Sequence, residues 1–178
     1  MNRKIFWYGL LVVFVLGFCA LILYGAQLVR KSGATTVIGG CDPALVAHVY
    51  NPHRLQTHEA CATVTGIIVD ASHGKNKDGC RHEADGDGHC FLKLDAGQES
   101  YLNEKNIANE DGALVFEPMC RYRVTQADAK NACKNWKQKL ALPSVGSHVR
   151  ATGVWVLDTE HGHNELHPIS SIEVLKEK

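Results

Sequence analysis

The chain opens on an apolar block that contains no charge. Residues 5–24 read IFWYGLLVVFVLGFCALILY, about the length of a helix spanning the ~30 Å hydrocarbon core of a bilayer. Trp7, Tyr8 and Tyr24 stand near its ends, where amphipathic rings favour the membrane interface. A small-residue stretch, SGATTVIGG at 32–40, has the composition of a flexible linker. Beyond it the apolar pattern shortens. Residues 62–70 (ATVTGIIVD), 90–95 (CFLKLD), 114–119 (LVFEPM), 148–158 (HVRATGVWVLD) and 165–175 (ELHPISSIEVL) are short and β-branched or alternating. They read as five strands. Gly66 and Gly153 sit inside the first and fourth; such a glycine marks a bend or bulge that lets one strand serve two parts of a small barrel.

Between the third and fourth strands the period becomes helical. Ala129, Ala132, Cys133 and Trp136 form one apolar stripe, after a capping-box-like start at Thr125 and Asp128. Lys134, Lys137 and Lys139 crowd the far end, where a helix dipole favours cations. This predicts a helix of about three turns packed on the core, with Trp136 as a core plug. Residues 44–50 predict one short helix before an extended lead-in at 50–55. Residues 71–88 read as a long polar loop and 103–112 as a turn.

Three strands, a helix and two strands predict a mainly β fold: an OB-type five-stranded Greek-key barrel with one packed α-helix, preceded by a single N-terminal transmembrane helix. An unrelated small β-barrel or sandwich is the alternative. The expected organisation is an anchor over 1–31, a linker and lead-in over 32–60, and the barrel over 61–178.

Charge and cysteines place the barrel. The chain carries 19 basic and 19 acidic residues. Setting aside Arg3, Lys4, Arg30 and Lys31 around the apolar block leaves 15 basic against 19 acidic. That balance argues against nucleic acid, whose phosphates demand clustered positive charge. Cys19 falls in the membrane segment as an inert residue. The other six, Cys41, Cys61, Cys80, Cys90, Cys120 and Cys133, all follow it. An even set beyond a membrane segment favours disulfides in an oxidising compartment. Zinc ligation is the rival, although no C-x-x-C pair occurs. Basic residues flank both ends of the apolar block, so the cysteines decide orientation: the barrel lies outside the cytoplasm. A cleaved signal peptide and a lipoprotein anchored at Cys19 are disfavoured by the length of the block, by Tyr24 near the best late cleavage site and by the bulky Phe18. Neighbour geometry favours the pairs Cys41–Cys61, Cys80–Cys90 and Cys120–Cys133 among 15 possible connectivities.

Two clusters carry candidate chemistry. Glu83-Ala-Asp85-Gly-Asp87-Gly-His89 alternates carboxylates with glycine, which suits a hard cation. The twelfth position counted from Asp85 is Ala96 and from Glu83 is Leu94, so this is not an EF-hand loop. Cys80, His82, His89 and Cys90 offer a zinc alternative at an uncommon spacing. The second cluster lies in 154–170. In an extended strand Glu165 and His167 share a face, His163 and His161 have the same parity, and Leu166 points to the core. Pro168 lacks a ladder donor and belongs at an edge or bulge. Each cluster taken alone also reads as a solvated polar loop.

Asp85-Gly-Asp87-x-His89 together with Asp158-x-x-His161-Gly-x-x-Glu165-Leu-His167-Pro168, and the intervening Pro143-x-x-Gly146-x-x-Val149-x-x-x-Gly153, resembles a poorly characterised family of bacterial membrane-anchored or extracytoplasmic OB-fold-like domains. The resemblance spans roughly residues 60–174. It implies that the two clusters meet in one site, and it implies no activity. His163, where a tryptophan is expected, and the added Cys80 and Cys90 depart from the pattern. Asp85, Asp87, His89, His161, Glu165 and His167 then form a candidate carboxylate–imidazole metal set, better suited to Zn, Mn or Ni than to Ca. Three functions stay open: a membrane-tethered binding module for a protein or small ligand, a metal-dependent hydrolase of phosphodiester or other ester bonds, and a ligand-free assembly protein.

Overall fold

The computed structural model describes residues 40–176. The expected anchor at 5–24 and most of the linker lie outside them. Among the described residues no helix is long and apolar enough to cross a membrane. The strands are β1 (Leu55–Val69), the two-residue β2 (Arg81–His82), β3 (Gly88–Leu94), β4 (Leu114–Phe116), β5 (His148–Asp158) and β6 (Asn164–Val174). Five of them close a barrel in the order β1-β5-β6-β4-β3, with β3 returning to β1. Every pairing is antiparallel except β4 with β6, where Val115 faces Glu165 and Phe116 faces Leu166.

Closure depends on the bend in β1. Its register with β5 runs from Leu55↔Asp158 to Ile67↔His148. From Gly66↔Leu94 to Val69↔Phe91 it also pairs with β3. A Cβ at Gly66 would lie 2.3 Å from the Lys93 carbonyl oxygen, so only glycine lets the two strands approach there. Gly153 does the same beside Pro168, whose carbonyl oxygen would be 2.7 Å from a Cβ. Gly66→Ala is therefore expected to destabilise the barrel by about 2–3 kcal/mol, because the obstacle is backbone that cannot swing aside. Urea unfolding measures this, and a loss below about 0.5 kcal/mol would mean that the seam yields. Inside, Val64, Ile68, Leu92, Leu114, Phe116, Val149, Leu166 and Ile169 form the apolar core.

The lead-in differs from the expectation. Pro52–Arg54 is a 3-10 turn, and β1 begins at Leu55. Residues 56–60 are exposed, so no buried alternation signals a strand there; pairing with the second half of β5 makes it one. The helices are redistributed as well. Residues 103–112, read as a turn, contain the α-helix α1 (Glu104–Asn109). Asn103 caps it by accepting from the backbone N–H of Lys105 and Asn106, and the Asn106 side chain returns a bond to the Asn103 N–H. The three-turn helix expected over 125–136 is replaced by a single 3-10 turn, Ala129–Asn131. Asp128 makes no side-chain cap there; its carboxylate accepts from the Tyr50 hydroxyl at 2.6 Å. Asn135, at φ 58°, then breaks the helical path. Trp136 still packs against Leu45, Val49, Met119 and Cys120, its ring stacked on His48 at 3.8 Å. The short helix expected over 44–50 is the 3-10 segment Pro43–His48.

Three disulfides join Cys41–Cys61, Cys80–Cys90 and Cys120–Cys133, the pairs that neighbour order favours. They indicate an oxidising environment. Cys120–Cys133 staples the irregular 125–139 segment to the barrel where a helix would have packed.

A ring of carboxylates and imidazoles at the barrel mouth

At the mouth of the barrel the apolar core gives way to buried charge. The 81–89 hairpin delivers two of its groups. Asp85 Oδ1 accepts from the Asp87 backbone N–H at 3.0 Å, which tightens the turn and aims the Asp87 side chain inward. Asp87 Oδ1 in turn accepts from the Cys120 N–H at 2.6 Å. His89, one residue into β3, faces the same interior. α1 ends at Glu110, whose N–H donates to the Asn106 carbonyl, while the buried Asn106 amide bonds the Ala113 and Asn164 carbonyls. Glu117 follows β4, its N–H donating to the Leu166 carbonyl. β6 contributes His163, just before its start, with Glu165 and His167. Register shifts against β5 between Gly153↔Ile169 and Trp155↔Leu166 place a bulge at His167 and Pro168.

These side chains close a ring of alternating acid and base. Glu110 contacts His89 Nε2 at 3.0 Å and His163 Nδ1 at 3.4 Å. Glu117 contacts His89 Nδ1 at 3.2 Å and His167 Nδ1 at 2.9 Å. Glu165 contacts His167 Nδ1 at 3.0 Å and His163 Nε2 at 3.3 Å. Each carboxylate thus bridges two imidazoles, and each imidazole touches two carboxylates. All six residues are buried. Arg54 leans on the ring from outside, 2.7 Å from Asp158 and 3.8 Å from Glu165.

Burial opposes charge on the three histidines, Glu110 and Glu117, and the pairing decides the outcome. Burial alone would push His163 down; its bonds to Glu110 and Glu165 raise the imidazole to about 9. His167 is raised well above its ordinary value against burial by Glu117 and Glu165, and His89 is raised by Glu110 and Glu117. Burial would raise Glu110 and Glu117, yet their histidine partners hold both below the usual carboxylate range. Asp87 is the exception. Burial dominates there and lifts its carboxyl to about 7. Without metal, protons on the imidazoles balance the carboxylates. A divalent cation held by neutral imidazoles would supply the same neutralisation.

Of the six candidate residues, Asp87, His89, Glu165 and His167 converge in or against the ring. Asp85 lies half-buried at the rim. His161 is outside the ring, largely exposed, with Nδ1 2.8 Å from Asp158 Oδ2 and its ring stacked on His163 at 5.6 Å between centroids. Two triads bring one ligand atom per residue mutually within 4.8 Å: His89, Glu110 and His163, and Asp87, Glu117 and His167. The His89 triad floors an open cleft of about 550 Å³, also bordered by Arg54, Arg81 and Asp85. Asp87, Cys120 and Cys133 also cluster, but the two sulfurs are bonded to each other and supply no thiolate.

Glu110, Glu117 and Arg54 have no place in the expected set; His163 is placed by strand parity on the face of Glu165 and His167 but is left out of the expected ligands. Glu117 had a signal: it is a lone carboxylate in the apolar run LVFEPM, and a buried charge must find a partner. Glu110 and Arg54 lie in turns with no local pattern of that kind. Compared with known proteins, the chain matches no family model, no curated protein and no solved structure.

Proposed function

We propose that this chain is an extracytoplasmic binding module, tethered by its N-terminal apolar segment, that holds a divalent transition metal at the mouth of an OB-type barrel. The strand order and the parallel β4–β6 pair support the OB-type reading. The disulfides support the location. The observation that carries the metal reading is the His89, Glu110 and His163 triad at the floor of an open cleft. Two imidazoles and a carboxylate suit Zn, Mn or Ni, and the cleft leaves a free coordination position to a small ligand or to a partner's donor group.

Metal analysis of the full chain purified in detergent tests this. Wild type is expected to retain at least one zinc, manganese or nickel ion after loading and gel filtration. His89→Ala and His163→Ala are each expected to hold at least one ion per chain fewer than wild type. Equal content in all three proteins, or none in wild type, removes the metal reading.

The openness of the cleft favours one further reading, a metal-dependent hydrolase in which the free position binds water. Phosphodiester or ester cleavage that disappears in His163→Ala and returns with added metal only in wild type supports it. Cleavage unchanged in His163→Ala removes it.

A further inference from the structure

Behind the ring, two buried atoms face each other with nothing between them. Asp87 Oδ2 and His167 Nε2 have no hydrogen-bond partner, stand 3.7 Å apart, and belong to residues 2% and 1% exposed. Leaving a buried polar atom unpaired costs about 1–3 kcal/mol. We infer that this gap is a second, inner cation site, so that the barrel mouth carries two divalent transition-metal ions rather than one. This rests on the metal reading above and extends it to a different set of atoms.

The orientation of His167 is that of a ligand. Its Nδ1 is committed to Glu117 and Glu165. An imidazole donating from Nδ1 to carboxylates turns the Nε2 lone pair the other way, which is how metal-binding histidines are fixed. Here Nε2 lies 3.7 Å from the Asp87 carboxylate oxygen, a pair that a shared positive charge would satisfy.

The width of the gap distinguishes a metal from a bridging water. A water at ~2.8 Å from both atoms would subtend about 80° across a 3.7 Å gap, too acute for good hydrogen bonds. An ion at ~2.1 Å from each would subtend about 120°, close to a tetrahedral angle. Glu117 stands beside them, one atom each of Asp87, Glu117 and His167 lying within 4.8 Å of one another. Its two oxygens reach His89 on one side and His167 on the other, so a single carboxylate joins the inner position to the outer one.

Charge points the same way. Asp87, Glu110, Glu117, Asp158 and Glu165 are all buried, with Arg54 as the buried guanidinium beside them. With neutral imidazoles, five carboxylates against one guanidinium leave four negative charges. One divalent ion compensates half of that and two compensate all of it. The outer ion faces the cleft and is expected to exchange readily, whereas the inner one is enclosed and is expected to exchange slowly.

The test counts zinc ions on the full chain, loaded with zinc alone, gel-filtered and measured by plasma mass spectrometry. Two ions per chain are expected in wild type. One should remain in His163→Gln, one in Asp87→Asn and none in the double variant. Asn keeps the Oδ1 acceptor for the Cys120 N–H, so Asp87→Asn spares the local fold. A cobalt titration of wild type followed by visible absorption needs no variant and is expected to show two successive binding steps. One ion in wild type that survives Asp87→Asn, or a single cobalt step, overturns the inner site and leaves the outer one standing. No ion in wild type overturns both.

Discussion

An Arg54→Met variant is expected to lose about 3–5 kcal/mol of folding stability. Arg54 and Asp158 form a buried pair at 2.7 Å with side chains 7% and 1% exposed. Methionine preserves most of the packing of the arginine stem and removes only the guanidinium, which leaves a carboxylate in the interior without its countercharge. Asp158 retains the backbone N–H of Glu160 and of His161 as donors, so the loss should fall near the lower end of that range. Pairing Arg54→Met with Asp158→Asn separates loss of the pair from loss of packing. The double variant should be more stable than the sum of the single losses by at least ~1 kcal/mol. Denaturant unfolding in chelator reads all three. A cost below about 0.5 kcal/mol, or strict additivity, would show that the pair is energetically silent.

The second large effect is an alkaline loss of stability in the metal-free protein. His163 is raised from 6.5 to about 9 by Glu110 and Glu165, against burial. A raised imidazole stabilises the fold fully below its unfolded pKa, and that contribution drains away as pH climbs through the folded one. Between about pH 7 and pH 9 the loss should be on the order of 2 kcal/mol from His163 alone. His89 and His167 are shifted in the same direction and add to it. Asp87 does not confuse this window, because its contribution is spent as pH rises from 3.8 to about 7. Unfolding in chelator at a series of pH values measures the slope. His163→Gln should flatten it whatever its own baseline stability, and bound zinc should abolish the His163 share, since a metal-bound imidazole is neutral and takes up no second proton in this range. A slope unchanged in His163→Gln would show that this histidine carries no stabilising proton.

What the sequence discloses follows from which interactions are local. β5 was legible to both ends because the β-branched, largely apolar run from His148 to Asp158 follows the Pro143 to Gly146 turn and stops at an acidic residue. A special role for Gly66 was legible as a bend, because a lone glycine in a β-branched run has few other uses; the close approach of Lys93 that requires it was not. The 125–136 stripe misled for the opposite reason. Its helical spacing is real, but Asp128 is drawn away by Tyr50, which is remote in sequence, and Asn135 breaks the path. The candidate site was half legible. Asp87, His89, Glu165 and His167 sit in short dense motifs. Glu110 is brought in by the Asn106 amide reaching across to β6, and Arg54 by a partner at Asp158. Contacts of that range leave no mark in neighbouring residues.

Two of the crosslinks lie beside the ring. Cys90 directly follows His89 and is tied to Cys80. Cys120, tied to Cys133, holds Asp87 through its N–H. Reduction would free the chain beside His89 and beside the Cys120 N–H that holds Asp87, so a reductant is expected to loosen the barrel mouth as well as the fold.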